Sequence, residues 1–293
     1  MIQTLHYRIH EVTAYINWLY FFHAWGFPAR FAAIAHIHGC DSCRASWLAS
    51  FPVEDRAKAA EAMQLYKEAQ RMLNRLDTEY HVHVRFGLFD CNSDGEDVVI
   101  EHSSLSFLRQ QKAPYLCLAD FLRPVNAEGV RDCIGIFAAC ADEAIEHLYE
   151  GEDDYQHLLC QTLADRLAEA ATERAHEAIR KFYWGYAPDE QLSIADLHAE
   201  RFQGIRPAVG YPSLPDQSLN FDLDRLIDFS AIGVRLTENG AMQPHASVSG
   251  LMISHPEAHY FSIGKIGEDQ LRDYAHRKHS TPDTLRPFLI SNL

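Results

Sequence analysis

Two stretches hold residue types whose spacing could do chemistry. In Gly204-Ile205-Arg206-Pro207-Ala208-Val209-Gly210-Tyr211-Pro212, two prolines fix φ and remove backbone donors, and Gly210 permits an approach that a Cβ would block. Arg206 is the single formal charge in the segment, and a guanidinium on a stiff, extended loop suits a bidentate grip on a carboxylate or phosphate. A surface turn with an incidental arginine would show the same spacing. The second stretch is His36-Ile-His38-Gly-Cys40-Asp-Ser-Cys43. Two imidazoles two apart share one face of a strand, and Cys-x-x-Cys can grip a metal from a turn. His36, His38, Cys40 and Cys43 are therefore candidate ligands for zinc or another metal. Four ligands so close strain a tetrahedral shell, and a thiol redox pair or purely structural residues are the competing readings.

Composition narrows the classes. The chain has 293 residues, 47% hydrophobic and 23% charged, enough to bury a large core. A formal charge of −15 argues against a nucleic-acid binder, whose affinity rests on clustered Lys and Arg. The apolar Tyr15 to Trp25 stretch is interrupted by Asn17 and His23 and lacks the flanks of a signal peptide, and no run suffices to span a bilayer. Seven cysteines without an export signal predict reduced thiols and a cytoplasmic chain with no membrane contact.

The elements that must position these residues are read from periodicity and punctuation. Apolar residues from Val12 to Phe22 predict one short amphipathic helix over 10–23, and Arg30 to His38 reads as a strand. Ala57 to Leu76 is dense in helix formers and preceded by Glu54 and Asp55. Val82–Phe89 and Val98–Glu101 read as hairpin strands around Asn92-Ser-Asp-Gly95, Leu105–Gln111 as helical, and Cys133–Ala141 as a buried strand. The acids from Asp142 to Asp154 read as a solvated face and loop. Asp153 to Phe182 is the longest predicted helix, with Leu158, Leu159, Leu163, Leu167, Ala170 and Ala171 as its apolar stripe. Beyond the Arg206 loop, a helix over 222–229, strands over 234–237, 248–253 and 259–266, and short helices over 268–276 and 281–287 complete the chain. No repeat, low-complexity tract or linker marks a boundary. The expected architecture is α+β, a mainly antiparallel sheet with a long helix packed on it, in a single domain over 1–293.

The Arg-x-x-x-Gly-Tyr-Pro segment at Arg206 resembles a signature of the S-adenosylmethionine-binding activation domain of cobalamin-dependent methionine synthase. Three further stretches resemble the same family in the same order. They are Leu163-Ala-Asp-Arg-Leu-Ala-Glu169 running on to Tyr183-Trp-Gly-Tyr-Ala-Pro188, Leu236-Thr-Glu238 through Ala246-Ser-Val-Ser-Gly250, and Ser254-His-Pro256 with Tyr260. Together they extend over most of residues 100–280, with a looser match over 1–100. The resemblance implies the curved activation-domain fold. It also implies that Arg206 holds the ligand carboxylate, that Glu169 faces its cationic part, that Tyr260 lines the site, and that Ala208, Gly210 and Tyr211 offer backbone and ring contacts. An exposed helix acid paired with Arg166 or Arg174 is the bland alternative for Glu169. The chain departs from the family where Tyr-Ile-Asp-Trp becomes Tyr15-Ile16-Asn17-Trp18, and in the aromatic pair Tyr260-Phe261, which lacks one hydroxyl.

No Asp-x-His-x-x-Gly cobalamin motif is present; Asp196-Leu-His198 comes nearest, with Arg201 where the glycine would stand. The function that the resemblance implies, for a chain without that motif, is that of a stand-alone methyltransferase component. It binds S-adenosylmethionine and supports reductive methylation of a cobalamin held by a partner methionine synthase chain, with a flavodoxin-type electron donor. The alternatives are a component serving another corrinoid protein, or a metal-binding or ligand-sensing interaction protein without catalysis.

Overall fold

The computed structural model describes residues 1–101, 103–126 and 128–293, and its organising element is a curled antiparallel sheet. The spine is β2 (His81–Asp94), which pairs along one edge with β5 (Asp132–Ala141). Along its other edge β2 takes β1 (Ile2–Arg8) in its first half and β3 (Asp97–Ile100) in its second. β4 (Ser103–Ser106) extends the sheet from β3, and β8 (Ser247–Met252) extends it from β5. β6 (Arg235–Leu236) and β7 (Met242–Gln243) form a separate ribbon.

The uninterrupted apolar run of β5 is explained by burial on both faces. Ile134, Ile136, Ala138 and Cys140 enter the core that contains α7 (Leu219–Ile227), while Ala139 and Ala141 enter the core on the opposite face. That opposite core is built by α1 (Ile9–Val12), α2 (Trp18–Ala24), α4 (Arg56–Leu76) and α5 (Asp154–Ala178). In α4, Ala59, Ala62, Leu65, Ala69, Met72, Leu73 and Leu76 recur at three- and four-residue intervals and are buried, as one face of an amphipathic helix must be. In α5 the Asp153 side chain caps the first turn by accepting from the Gln156 amide at 3.0 Å. Its stripe Leu159, Leu163, Leu167, Ala170 and Ala171 is buried against the sheet, whereas Leu158 is exposed. A third cluster gathers α8 (Glu268–Arg277) and α9 (Pro282–Leu285) around Ile263 and Leu271.

Five sequence expectations are corrected. The helix over 10–23 is two helices, because Ile16 is extended and Asn17 leaves the helical region to cap α2, its side chain accepting from the Leu19 amide at 3.2 Å. The strand over Arg30–His38 is a 3-10 helix over Ala29–His36, and no strand pairs with it among the described residues. Leu105–Gln111 is not helical; Leu105 pairs with Val98 in β4, and Arg109 bridges to Cys117. The segment 259–266 is irregular and joins no sheet among the described residues, Gly264 standing at φ +71° and the Ile263 amide bonding to the Pro212 carbonyl at 2.9 Å. The expected Asn92–Gly95 turn sits later, since β2 runs through Asp94.

Candidate ligand site

A cavity of about 630 Å³ opens between α5, the start of α2, the segment after α6 (Ile194–His198) and the loop carrying Arg206. That volume lies within the range of about 300–1,000 Å³ usual for small-molecule sites. The loop is held as an irregular extra strand on β8. The Ile205 amide donates to the Ile253 carbonyl at 2.9 Å, the Leu251 amide to Pro207 at 3.0 Å and the Val209 amide to Ser249 at 2.9 Å. Two glycines make this approach possible. A Cβ on Gly250 would lie 2.2 Å from the Pro207 carbonyl oxygen, and one on Gly204, at φ +84°, 2.2 Å from the Ile253 carbonyl oxygen. Ala208 faces Gly250 between the bonded positions, so its amide lies outside the ladder while the residue lines the cavity. Gly210 does not line the cavity. Its role is conformational: at φ +87° it turns the chain so that its amide bonds to the Leu214 carbonyl at 2.8 Å, bringing Tyr211 to the cavity wall.

The guanidinium of Arg206 is pinned by two neighbours on α5. Its Nη2 donates to Glu173 Oε2 at 2.8 Å and its Nη1 to the Thr172 carbonyl at 3.3 Å, while its backbone amide donates to the Tyr260 hydroxyl at 2.9 Å. A guanidinium has five N–H donors, so donors remain for a ligand beyond those that fix its position. Glu169 stands one turn before Glu173 on the same face of α5 and pairs with Arg166 at 2.8 Å, yet it also lines the cavity. The bland pairing and the site role therefore coexist. Burial raises the Glu169 carboxyl above its ordinary value, with Arg166 opposing the shift. Burial likewise raises Glu200, which joins the wall beyond α6.

The cavity wall thus carries three carboxylates, Glu169, Glu173 and Glu200, against two guanidiniums, Arg166 and Arg206. The excess negative charge and the raised carboxyls make a cationic ligand favourable, and the fixed Arg206 supplies a counterpart for an anionic group on the same molecule. Tyr20, Phe137, Phe202, Tyr211, Tyr260 and Phe261 provide aromatic wall. Burial also raises the Tyr260 hydroxyl's pKa, so that it remains a neutral hydrogen-bonding group.

Behind the wall lies a second polar layer. Arg180 is fully buried and paired with Glu190 at 2.6 Å. His176 is fully buried against the edge of Phe202, at 4.9 Å between ring centroids, and neither ring nitrogen has a partner among the described residues. Burial, followed by the charges of Arg206 and Arg180, holds His176 well below the ordinary imidazole range, so the ring is neutral.

Seven of the residues expected at the ligand site line one cavity: Asn17, Glu169, Arg206, Ala208, Tyr211, Tyr260 and Phe261; Gly210 stands behind it. Sequence reasoning missed Glu173, Glu200, Arg166 and Phe202 as wall residues. Glu173 had a signal, since it lies four residues from Glu169 and therefore on the same helical face. The other expected cluster divides. His38, Cys40 and Cys43 come together, their ligand atoms all within 4.8 Å of one another, whereas His36 ends the 3-10 helix and stays outside the group. The shared strand face proposed for the two histidines does not exist, because the segment is helical. All seven cysteines are free.

An α+β domain in which a rigid arginine loop is stitched to a curled sheet and closes over one long helix defines a ligand-binding module for a small, mixed-charge molecule. Residues 8–279 match the family model described as vitamin B12 dependent methionine synthase, activation domain, and the chain belongs to that family. Its fold is similar to the crystal structure of the MetH reactivation domain bound to AdoHcy, at 35% sequence identity and a TM-score of 0.88, covering 100% of this chain and 90% of that one. No described helix is long and apolar enough to cross a membrane.

Proposed function

We propose that the cavity binds S-adenosylmethionine and its product S-adenosylhomocysteine, and that bound S-adenosylmethionine is the methyl donor for a cobalamin carried outside residues 1–293. The observation that carries this reading is the pairing of one pinned guanidinium with an excess of carboxylates in one aromatic-lined cavity. S-adenosylmethionine presents a carboxylate together with an ammonium and a sulfonium. Arg206 matches the first, and Glu169, supported by Glu200, matches the cationic part. Tyr211, Tyr260 and Phe261 flank the remaining surface, and the amide of Ala208, outside the ladder to β8, offers a backbone donor. The AdoHcy bound to the similar MetH domain supports the same assignment. Asn17 lines the cavity but carries no charge where the family resemblance implies aspartate.

The corrinoid supplies the metal-centred chemistry, in which one electron from a flavodoxin-type donor and the methyl group of S-adenosylmethionine convert cob(II)alamin to methylcobalamin and S-adenosylhomocysteine. This chain's residues bind and orient the donor. The proposed partner is a cobalamin-bearing methionine synthase chain that presents its corrinoid at the mouth of this cavity.

Calorimetry tests the binding step. Arg206→Ala is expected to lose affinity for S-adenosylmethionine about a hundredfold, on the order of 3 kcal/mol, because it strips a charged partner from the ligand carboxylate. Arg206→Lys keeps the charge without the fork and is expected to fall between. Asn17→Asp is expected to tighten binding a few-fold, since aspartate caps a helix equally well and adds negative charge beside a cationic ligand. Equal affinity in wild type and Arg206→Ala would remove this cavity from the function. The transfer step is tested by mixing the chain, a cobalamin-loaded synthase lacking its own activation domain, S-adenosylmethionine and a reductant, and following methylcobalamin formation by absorbance. No dependence on this chain would sink action in trans while leaving the binding assignment intact.

A further inference from the structure

The His38, Cys40 and Cys43 cluster lies outside the ligand cavity and is not used by the function proposed above. Cys40 is the N-cap of α3 (Asp41–Ala49), and the Cys43 amide donates to its sulfur at 3.4 Å. The Cys-x-x-Cys pair thus straddles the first turn of a helix, where backbone dipoles favour negative charge on sulfur. His38 approaches from the chain entering that helix. Its ring and both sulfurs form a triangle with no separation beyond 4.8 Å.

We propose that His38, Cys40 and Cys43 bind one zinc-class divalent ion, with a fourth coordination position open to solvent. Zinc–sulfur bonds of about 2.3 Å and zinc–nitrogen bonds of about 2.0 Å in a tetrahedron put ligand atoms about 3.3–3.8 Å apart. The triangle therefore needs to contract by at most roughly 1 Å at any edge, a change within reach of side-chain rotation. Two thiols and an imidazole are the donors that select zinc over magnesium or calcium. Cys40 is exposed, so the bound ion faces water and exchanges its fourth ligand freely. Loading replaces the two sulfhydryl protons with metal–sulfur bonds and releases them to solvent, with no change of oxidation state.

The test uses the untagged chain, fully reduced and stripped of metal, titrated with Co²⁺. One equivalent is expected to bind, with a thiolate-to-cobalt band in the near ultraviolet and visible bands of four-coordinate intensity, and equimolar Zn²⁺ is expected to displace it. Cys40→Ser combined with Cys43→Ser should abolish these bands, His38→Ala should weaken binding at least tenfold, and His36→Ala should leave it unchanged. Circular dichroism of each variant matching wild type, with unaltered S-adenosylmethionine binding, separates metal loss from unfolding. Cobalt binding indifferent to the cysteine pair, or a weak six-coordinate spectrum, overturns the site. Absence of binding together with facile disulfide formation between Cys40 and Cys43 overturns it in favour of a thiol redox pair.

Discussion

The two halves of α5 pass through different surroundings on one continuous helix. From Leu159 to Leu167 the buried side chains are apolar and meet the sheet, and the opposite side of the helix faces outward. From Ala168 onward burial encircles the helix, and Thr172, Glu173 and His176 are enclosed along with the alanines, because the Arg206 loop closes over that end. The first half can be explained by the hydrophobic effect alone. The second holds polar groups that cost free energy to bury unless something uses them. One helix thus divides into a part that carries stability and a part that carries the site, and the two respond to different measurements.

The largest expected effect is on stability alone. Leu163 is fully buried in the apolar half, and Leu163→Ala is expected to cost about 2–5 kcal/mol in urea unfolding through lost transfer energy and a residual cavity. Its affinity for S-adenosylmethionine, measured where the variant remains folded, should match wild type within twofold. A hundredfold loss of affinity with that stability change would show that the apolar half also shapes the site.

A smaller effect, of the opposite kind, is expected at Glu173. Its carboxylate fixes the Arg206 guanidinium within the cavity wall, and its second oxygen, Oε1, is buried without a partner among the described residues. Glu173→Gln retains the shape and one hydrogen bond while removing the charge that orients Arg206. Affinity is expected to fall about tenfold, about 1.4 kcal/mol, with a much smaller change in unfolding. Tighter binding in the variant would mean instead that Glu173 competes with the ligand for Arg206.

This division also sets what the sequence could reveal. Helix α4, the span of α5 and strand β5 follow from patterns that depend on local periodicity and one buried face, and these were legible. The loop at Arg206 was legible as a rigid, arginine-bearing segment, but its attachment to β8 was not, because the glycine that permits it, Gly250, lies more than forty residues away in the chain. The strand reading at Arg30–His38 failed for a related reason: whether an apolar stretch becomes a strand depends on a partner, and among the described residues no strand is there to pair. Glu173 shares a helical face with Glu169 in the sequence, but that the Arg206 loop encloses it is shown only by the fold. The charged part of the site was therefore least visible where its residues come from opposite sides of a tertiary contact.

His176 gives the smallest expected effect and the most direct reading of how polar the second half of α5 is. Burial and the nearby Arg206 and Arg180 charges depress its pKa well below the ordinary value of 6.5, with the Glu173 carboxylate on the same helix already engaged by Arg206. Once the chain unfolds, the imidazole regains its ordinary value. Between the folded and unfolded pKa values the unfolded chain holds a proton that the native chain does not, so stability rises with pH through that window. The contribution is complete above the unfolded value and is lost as pH falls below about 6.5, at no more than about 1.4 kcal/mol per pH unit for one group. The raised carboxyls of Glu169 and Glu200 act in the opposite direction, because the native chain holds their protons more tightly than the unfolded chain does, and they are common to wild type and variant. His176→Leu fills much of the same space without a titratable ring, so the difference between its unfolding free energy and that of wild type isolates the histidine. Urea unfolding from pH 7.5 to 5.5 is expected to give a shallower pH dependence in His176→Leu, with the two curves converging toward low pH if the leucine packs less well against Phe202. Parallel curves would mean that the ring protonates within the native fold, and that the end of α5 nearest the ligand is open to water.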